Sequence, residues 1–76
     1  MNTIFERVSR IISDLTGVDK DAIFETTTIC DLDIGTLKFA NIILDLEDEF
    51  HIEIFESQYR KLQTVGDIVE YVQNNS

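Results

Sequence analysis

Proline and tryptophan are absent from the 76-residue sequence, and cysteine and histidine occur once each. With Cys30 as the only cysteine, no disulfide can form within the chain. A metal site needs several ligands at suitable spacing, and Cys30 and His51 stand at unrelated positions, so no metal centre is expected. His51 follows Phe50 and precedes Ile52, and no partner of the kind that a general base needs stands beside it. We therefore expect this histidine to be structural or exposed.

Basic residues are also scarce, because 6 Lys and Arg stand against 15 Asp and Glu, which gives a net charge of −9. Nucleic acids and anionic membrane surfaces both attract cationic side chains, so this charge argues against either as a partner. It favours a basic protein partner, whose encounter would be accelerated by long-range attraction. The alternative is that the excess of acid serves only solubility.

The sequence has no apolar run of the length that a signal peptide or a membrane span needs. We therefore expect no membrane insertion and a cytoplasmic location. A hydrophobic fraction of 43% in so short a chain suffices for one modest core but not for a deep enzyme cleft. Residues 1–76 are thus interpreted as a single domain, expected to be monomeric, that presents or binds something and is not an enzyme.

Four segments have apolar residues at helical spacing. They run from about Thr3 to Leu15, from about Thr36 to Phe50, within Glu56 to Lys61, and from Thr64 to about Gln73. Residues 18–35 show no period and form a long connection, with a short helical turn near Asp19 to Phe24; such loops are often functional. The prediction is an all-α four-helix bundle with a long loop between helices 1 and 2 and a short third helix.

The second helix carries two apolar strips. One is an ordinary core stripe, made of Phe39, Ile42, Ile43, Leu46 and Phe50. Leu37, Ala40 and Leu44 form a second strip, mostly on the far side, with Asn41 and Asp48 beside it. An apolar centre rimmed by carboxylates suits a partner surface. The alternative is that isolated exposed leucines are common and need no explanation.

Two segments of the sequence, DLDIGTL at 31–37 and LDLEDEF at 44–50, resemble the signature of the acyl carrier protein family. In that family an Asp-Leu-Gly-x-Asp-Ser-Leu segment leads into a helix that ends in Leu-Glu-x-Glu-Phe. Further similarities at Glu53-Ile54, Thr64-Val65 and Tyr71-Val72, and in the opening helix, extend the resemblance over essentially the whole chain.

The resemblance implies a four-helix bundle of the acyl-carrier-protein type and a carrier function, as in fatty acid biosynthesis. The family's serine bears 4′-phosphopantetheine, whose thiol holds an acyl or aminoacyl group as a thioester for partner enzymes, and Thr36 stands at that attachment position. Carrier-dependent transferases, synthases or ligases would place their own basic surfaces against the second helix. The implied partner-binding residues are Leu37, Ala40, Asn41, Leu44, Glu47 and Asp48.

Several positions depart from the family pattern. Thr36 keeps a hydroxyl but is β-branched and more crowded than serine. Gly35 replaces an aspartate, and Lys38 and Asn41 replace acidic residues, which weakens attraction to a basic docking face. Thr36 is also a candidate N-cap of the second helix. Two hypotheses therefore stand. One is a working carrier modified at Thr36. The other is a degenerate carrier that lacks the phosphopantetheine group (the arm) and acts as an adaptor or regulator through its acidic second helix.

Two further features of the sequence could suggest a binding or attachment site. Asp31, Asp33 and Gly35 resemble the start of a calcium loop, but the glycine comes one place too early and position twelve would be Ile42. The calcium interpretation is therefore rejected. Ser9 and Ser13 are assigned to the polar side of the first helix, where neither is expected to be an attachment site.

Overall fold

The computed structural model describes residues 3–32 and 34–75, and its main elements are helical. Helix α1 spans Thr3–Thr16, α2 spans Thr36–Phe50 and α3 spans Val65–Asn75, while a six-residue 3₁₀ helix, Glu56–Lys61, stands at the third position. Two shorter 3₁₀ turns, Lys20–Ala22 and Cys30–Leu32, lie in the long first loop. The predicted all-α four-helix architecture is confirmed. Asp33 of the sequence signature lies outside the described residues.

Local sequence accounts for the helix ends. Gly17 follows α1 with φ of 77°, and its N–H donates to the Ser13 carbonyl at 2.9 Å, a left-handed ending that favours glycine. At the start of α3, the Asp67 N–H donates to the Thr64 hydroxyl at 3.0 Å. The Thr64 N–H donates in return to the Asp67 carboxylate at 3.1 Å. This reciprocal pair satisfies two backbone donors that the helix itself cannot.

One hydrophobic core lies where α1 packs against both α2 and α3. Each helix contributes aliphatic side chains from a single stripe, as the helical spacing predicts. The fully buried members with the largest side chains are Ile12, Ile42, Ile43, Leu46 and Ile68. Within the described ranges, no helix is both long and apolar enough to cross a bilayer.

The sequence assignment of Ser9 to a polar face is wrong, because Ser9 is fully buried. Helix α1 contacts two helices at once, so its buried arc is wider than its apolar stripe and includes this position. The Ser9 hydroxyl has no hydrogen-bond partner among the described residues. Ser13 is half-buried, and its hydroxyl donates to the Val18 carbonyl at 2.6 Å.

The long first loop is fixed to the residues around the start of α3. Three main-chain hydrogen bonds join them: Ile29 N–H to Gln63 O at 2.8 Å, Val65 N–H to Thr27 O at 2.9 Å, and Gly66 N–H to Glu25 O at 2.9 Å. A Cβ at Gly66 would lie 3.0 Å from the Glu25 carbonyl oxygen, so the close approach requires glycine or a shift of the loop. The loop is therefore part of the folded structure and forms a wall beside α2.

Candidate functional site

Thr36 is the first residue of α2 and is exposed. The expectation that it serves as the N-cap is wrong, because Gly35 holds that position with φ of −69° and ψ of 174°. The Gly35 carbonyl accepts the N–H of Phe39 at 3.0 Å, so Thr36 already lies inside the helix. Its hydroxyl makes no hydrogen bond with any described residue.

The start of α2 is suited to an anion. No acidic residue lies in its first turn, and Gly35 supplies no side-chain cap. Among the described residues, no acceptor is present for the N–H groups of Thr36, Leu37 and Lys38, and the positive end of the helix dipole favours negative charge there by about 0.3–1 kcal/mol. Lys38, exposed in the same turn, adds a positive charge. A phosphodiester on the Thr36 oxygen would fit this environment.

A groove of about 780 Å³ opens beside Thr36. One wall comes from loop residues 28–30, a second from residues 34–36 with Phe39, and a third from the 3₁₀ helix and the residues after it, including Tyr59 and Arg60. The volume lies within the range of cavities that hold a drug-sized ligand. The residues present thus fit a 4′-phosphopantetheine group, for which Thr36 would supply the attachment oxygen and the groove would hold the chain.

The two strips predicted on α2 lie on opposite sides of the helix. Leu37 is 82% exposed and Leu44 is 61% exposed, whereas Ile43 and Leu46 are buried. The six predicted docking residues were Leu37, Ala40, Asn41, Leu44, Glu47 and Asp48. Asn41 and Asp48 are exposed, and Ala40 is half-buried. Asn41 and Asp48 thus share the exposed side of α2 with the two leucines, as the helical spacing predicts.

Glu47 has an additional structural contact. It is half-buried, and its carboxylate accepts the backbone N–H of Ile54 at 2.8 Å. Its carbonyl accepts the N–H of His51, which is exposed and ends α2 in a left-handed conformation with φ of 55°. Glu47 therefore holds the chain that leaves α2, and only part of its side chain is open to a partner.

The sequence interpretation did not identify two groove residues. Tyr59 is half-buried and meets Phe39 edge to face, with ring centroids 5.3 Å apart. Arg60, the next residue, is exposed on the groove wall. A six-residue helix is too short for a periodic pattern to indicate which side chains face the attachment position. The aromatic and cationic character of positions 59 and 60 was the only signal in the sequence.

Comparisons with known proteins find relatives in sequence and in fold. A sequence model of the family described as "Phosphopantetheine attachment site" matches residues 6–72. The chain is 41% identical over 73 residues to an acyl carrier protein of Lactobacillus acidophilus, covering 95% of this chain and 91% of that protein. Among solved structures, an acyl carrier protein from Enterococcus faecalis superposes with a TM-score of 0.82 at 32% identity, covering 96% of this chain and 94% of that one. A protein of Anaplasma phagocytophilum assigned as an acyl carrier protein superposes with a TM-score of 0.87 at 28% identity, covering 95% and 86%.

Proposed function

The chain belongs to the acyl carrier protein family, and we propose that it is a working carrier whose prosthetic group is attached at Thr36. Proteins of this family are carriers and not enzymes, and their prosthetic group is 4′-phosphopantetheine. When bound, this group supplies a thiol that holds an acyl or aminoacyl cargo as a thioester. The observation that carries the proposal is the exposed position of Thr36 in the first turn of α2, where its hydroxyl makes no hydrogen bond with any described residue.

Attachment requires Thr36 Oγ1 to form a bond with the phosphorus that bears the pantetheine in coenzyme A. The pyrophosphate bond breaks, adenosine 3′,5′-bisphosphate leaves, and the hydroxyl proton passes to a base on the transferase. The start of α2 favours the product, because its open N–H groups face a new negative charge. The β-methyl of Thr36 crowds the attack and restricts χ1, so we expect slower modification than for serine.

The outer face of α2 is proposed to dock the partner enzymes. Leu37 and Leu44 supply exposed apolar area, and Asp48 supplies a carboxylate at the rim. The net charge of −9 complements a basic surface on a transferase, synthase or ligase and accelerates the encounter. The same charge opposes self-association, which supports a monomeric carrier.

A second candidate function is a degenerate carrier that keeps the docking face and lacks the arm. Residues 35–38 favour this second function. Thr36 is a hindered nucleophile, and Gly35 and Lys38 make the charge around Thr36 less negative than in the family pattern. Such a protein would bind enzymes that recognise carriers and act as an adaptor or regulator. Both candidates use the same surface, so only the modification state separates them.

Intact mass spectrometry after incubation with coenzyme A and a broad-specificity phosphopantetheinyl transferase tests the proposal. We expect the wild-type chain to gain one phosphopantetheine, Thr36→Ala to gain none, and Thr36→Ser to be modified faster. Thr36→Ser also serves as the folding and docking control, because it changes only one methyl group. Full modification of Thr36→Ser with none in the wild-type chain would overturn the working-carrier proposal and support the adaptor.

A further inference from the structure

The groove beside Thr36 differs in charge from the rest of the molecule. The chain as a whole carries 15 acidic residues against 6 basic ones, yet none of the described residues that line this groove is acidic. Arg60 is the only charged residue among them. Among the described residues, the groove next to the attachment hydroxyl therefore carries one cation and no carboxylate, and this cation would complement an anionic occupant.

The Arg60 guanidinium has no partner of its own among the described residues. Its side chain forms no hydrogen bond or ion pair with a described residue. Glu56 and Arg60 both line a neighbouring cavity, but they are not paired. Arg7, in contrast, donates to the Glu49 carboxylate and lies over the Phe50 ring, with its guanidinium carbon 4.7 Å from the ring centroid. Arg60 is thus a free cation on the wall of the groove that Thr36 also lines.

The remaining chemistry of the groove matches the arm itself. A guanidinium presents a planar fork of donors that pairs with phosphate oxygens in a bidentate manner. The Phe39 and Tyr59 rings provide an apolar surface on the same groove. Phosphopantetheine with a free thiol has one anionic group, its phosphodiester, followed by a chain of methyl, methylene and amide groups. The groove thus offers one cation for the phosphate and an apolar wall for the chain.

We propose that Arg60 pairs with the phosphodiester on Thr36 and holds the near part of the arm in this groove. The inference rests on the proposed attachment at Thr36 and adds a positioning residue to it. A partner whose basic docking surface approaches the start of α2 would compete with Arg60 for the phosphate and so release the arm. The carrier would hold its arm between encounters and extend it on docking.

The test is a comparison of apo and modified protein by ¹H–¹⁵N NMR, with the arm thiol free. Amide shift changes at groove positions such as Cys30 and Tyr59 report where the arm lies. The variants are Arg60→Gln, which removes the charge, and Arg60→Lys, which keeps the charge and loses the fork. The matched control is Lys61→Gln, because Lys61 is an exposed cation of the same 3₁₀ helix, next to Arg60 in sequence, but does not line the groove. Apo spectra of each variant establish that the fold is retained.

Each variant has a defined expected result. We expect Arg60→Gln to reduce the arm-dependent shift changes about twofold or more, because charge-assisted bonds are the stronger ones. Arg60→Lys should be intermediate, and Lys61→Gln should leave them within about a fifth of the wild-type values. Raising salt from about 0.02 M to about 1 M should diminish the changes in the wild-type chain and not in Arg60→Gln.

Two results would overturn the inference. One is a modified protein whose groove amides do not respond to the arm, or respond equally with and without Arg60. The other is an equal loss in Arg60→Gln and Lys61→Gln, which would indicate a general effect of positive charge on the 3₁₀ helix instead of a pair in the groove. If the wild-type chain is not modified, the same comparison is made on Thr36→Ser. Failure of attachment at Thr36 is then distinguished from failure of arm binding in the groove.

Discussion

Phe39 of α2 and Tyr59 of the 3₁₀ helix meet edge to face, with ring centroids 5.3 Å apart and an interplanar angle of 83°. Their positive ring edge and negative ring face attract each other in this arrangement. The pair joins two elements that follow each other in the fold, and both rings line the groove beside Thr36. One contact therefore contributes to stability and also shapes the wall against which the arm is proposed to lie.

We expect this ring pair to be energetically coupled. In a double-mutant cycle of Phe39→Leu and Tyr59→Leu, followed by urea unfolding, the coupling free energy should be about 0.5–1.5 kcal/mol. A second cycle, which combines Phe24→Leu with Tyr59→Leu, is the control, because Phe24 is 60% exposed and does not line the groove. Its coupling should be close to zero. Similar coupling in both cycles would contradict a specific ring contact.

Truncating a leucine to alanine should destabilise the protein strongly on the buried side of α2 and hardly at all on the exposed side. Leu46→Ala, in the core, should reduce the free energy of unfolding by about 2–5 kcal/mol because it leaves a cavity. Leu44→Ala, on the exposed side, should change it by less than about 0.5 kcal/mol. In binding assays with the phosphopantetheinyl transferase, Leu44→Ala combined with Asp48→Lys should weaken the complex at unchanged helicity, measured by circular dichroism. Unaltered binding would remove the outer face of α2 from the docking surface.

Two serines on α1 should give stability changes of opposite sign. Ser9 is buried and its hydroxyl lacks a described partner, so Ser9→Ala should raise the free energy of unfolding by about 1 kcal/mol, by removing an unsatisfied buried group. Ser13→Ala should lower it by about 1 kcal/mol, because the bond to the Val18 carbonyl is lost. Urea denaturation of both variants provides the measurement. A destabilised Ser9→Ala protein would mean that this hydroxyl is satisfied in solution.

Sequence periodicity was sufficient to predict the three α-helices and to separate the buried side of α2 from its exposed side. Their ends were predicted within one or two residues because Gly17 and the Thr64–Asp67 pair are local signals that neighbouring residues determine. The short third helix was predicted at Glu56–Lys61, although its 3₁₀ geometry was not. The helical turn expected near Asp19 to Phe24 is present at Lys20–Ala22.

The misses have a common physical origin in contacts between distant segments. Ser9 is buried because two helices cover α1, and no pattern within α1 reveals that. The bonds between the first loop and the start of α3 are made by main-chain atoms, which every sequence has, so side-chain types cannot predict them. The position of Arg60 in the groove was not predicted for the same reason, since Arg60 and Thr36 are brought to one cavity only by the fold.

The main-chain bonds between the first loop and the start of α3 also determine how the groove can widen. One wall of the groove contains residues 28–30 and another contains residues 62–63. The Ile29 N–H donates to the Gln63 carbonyl across these two walls, so separating them would break a backbone hydrogen bond. The border between α2 and the 3₁₀ helix rests instead on the contact of the Phe39 and Tyr59 rings. Widening the groove at this border would therefore break no backbone hydrogen bond among the described residues, and would instead separate the Phe39 and Tyr59 rings. If the proposed carrier holds an acyl group in this groove, these two rings limit the size of that group.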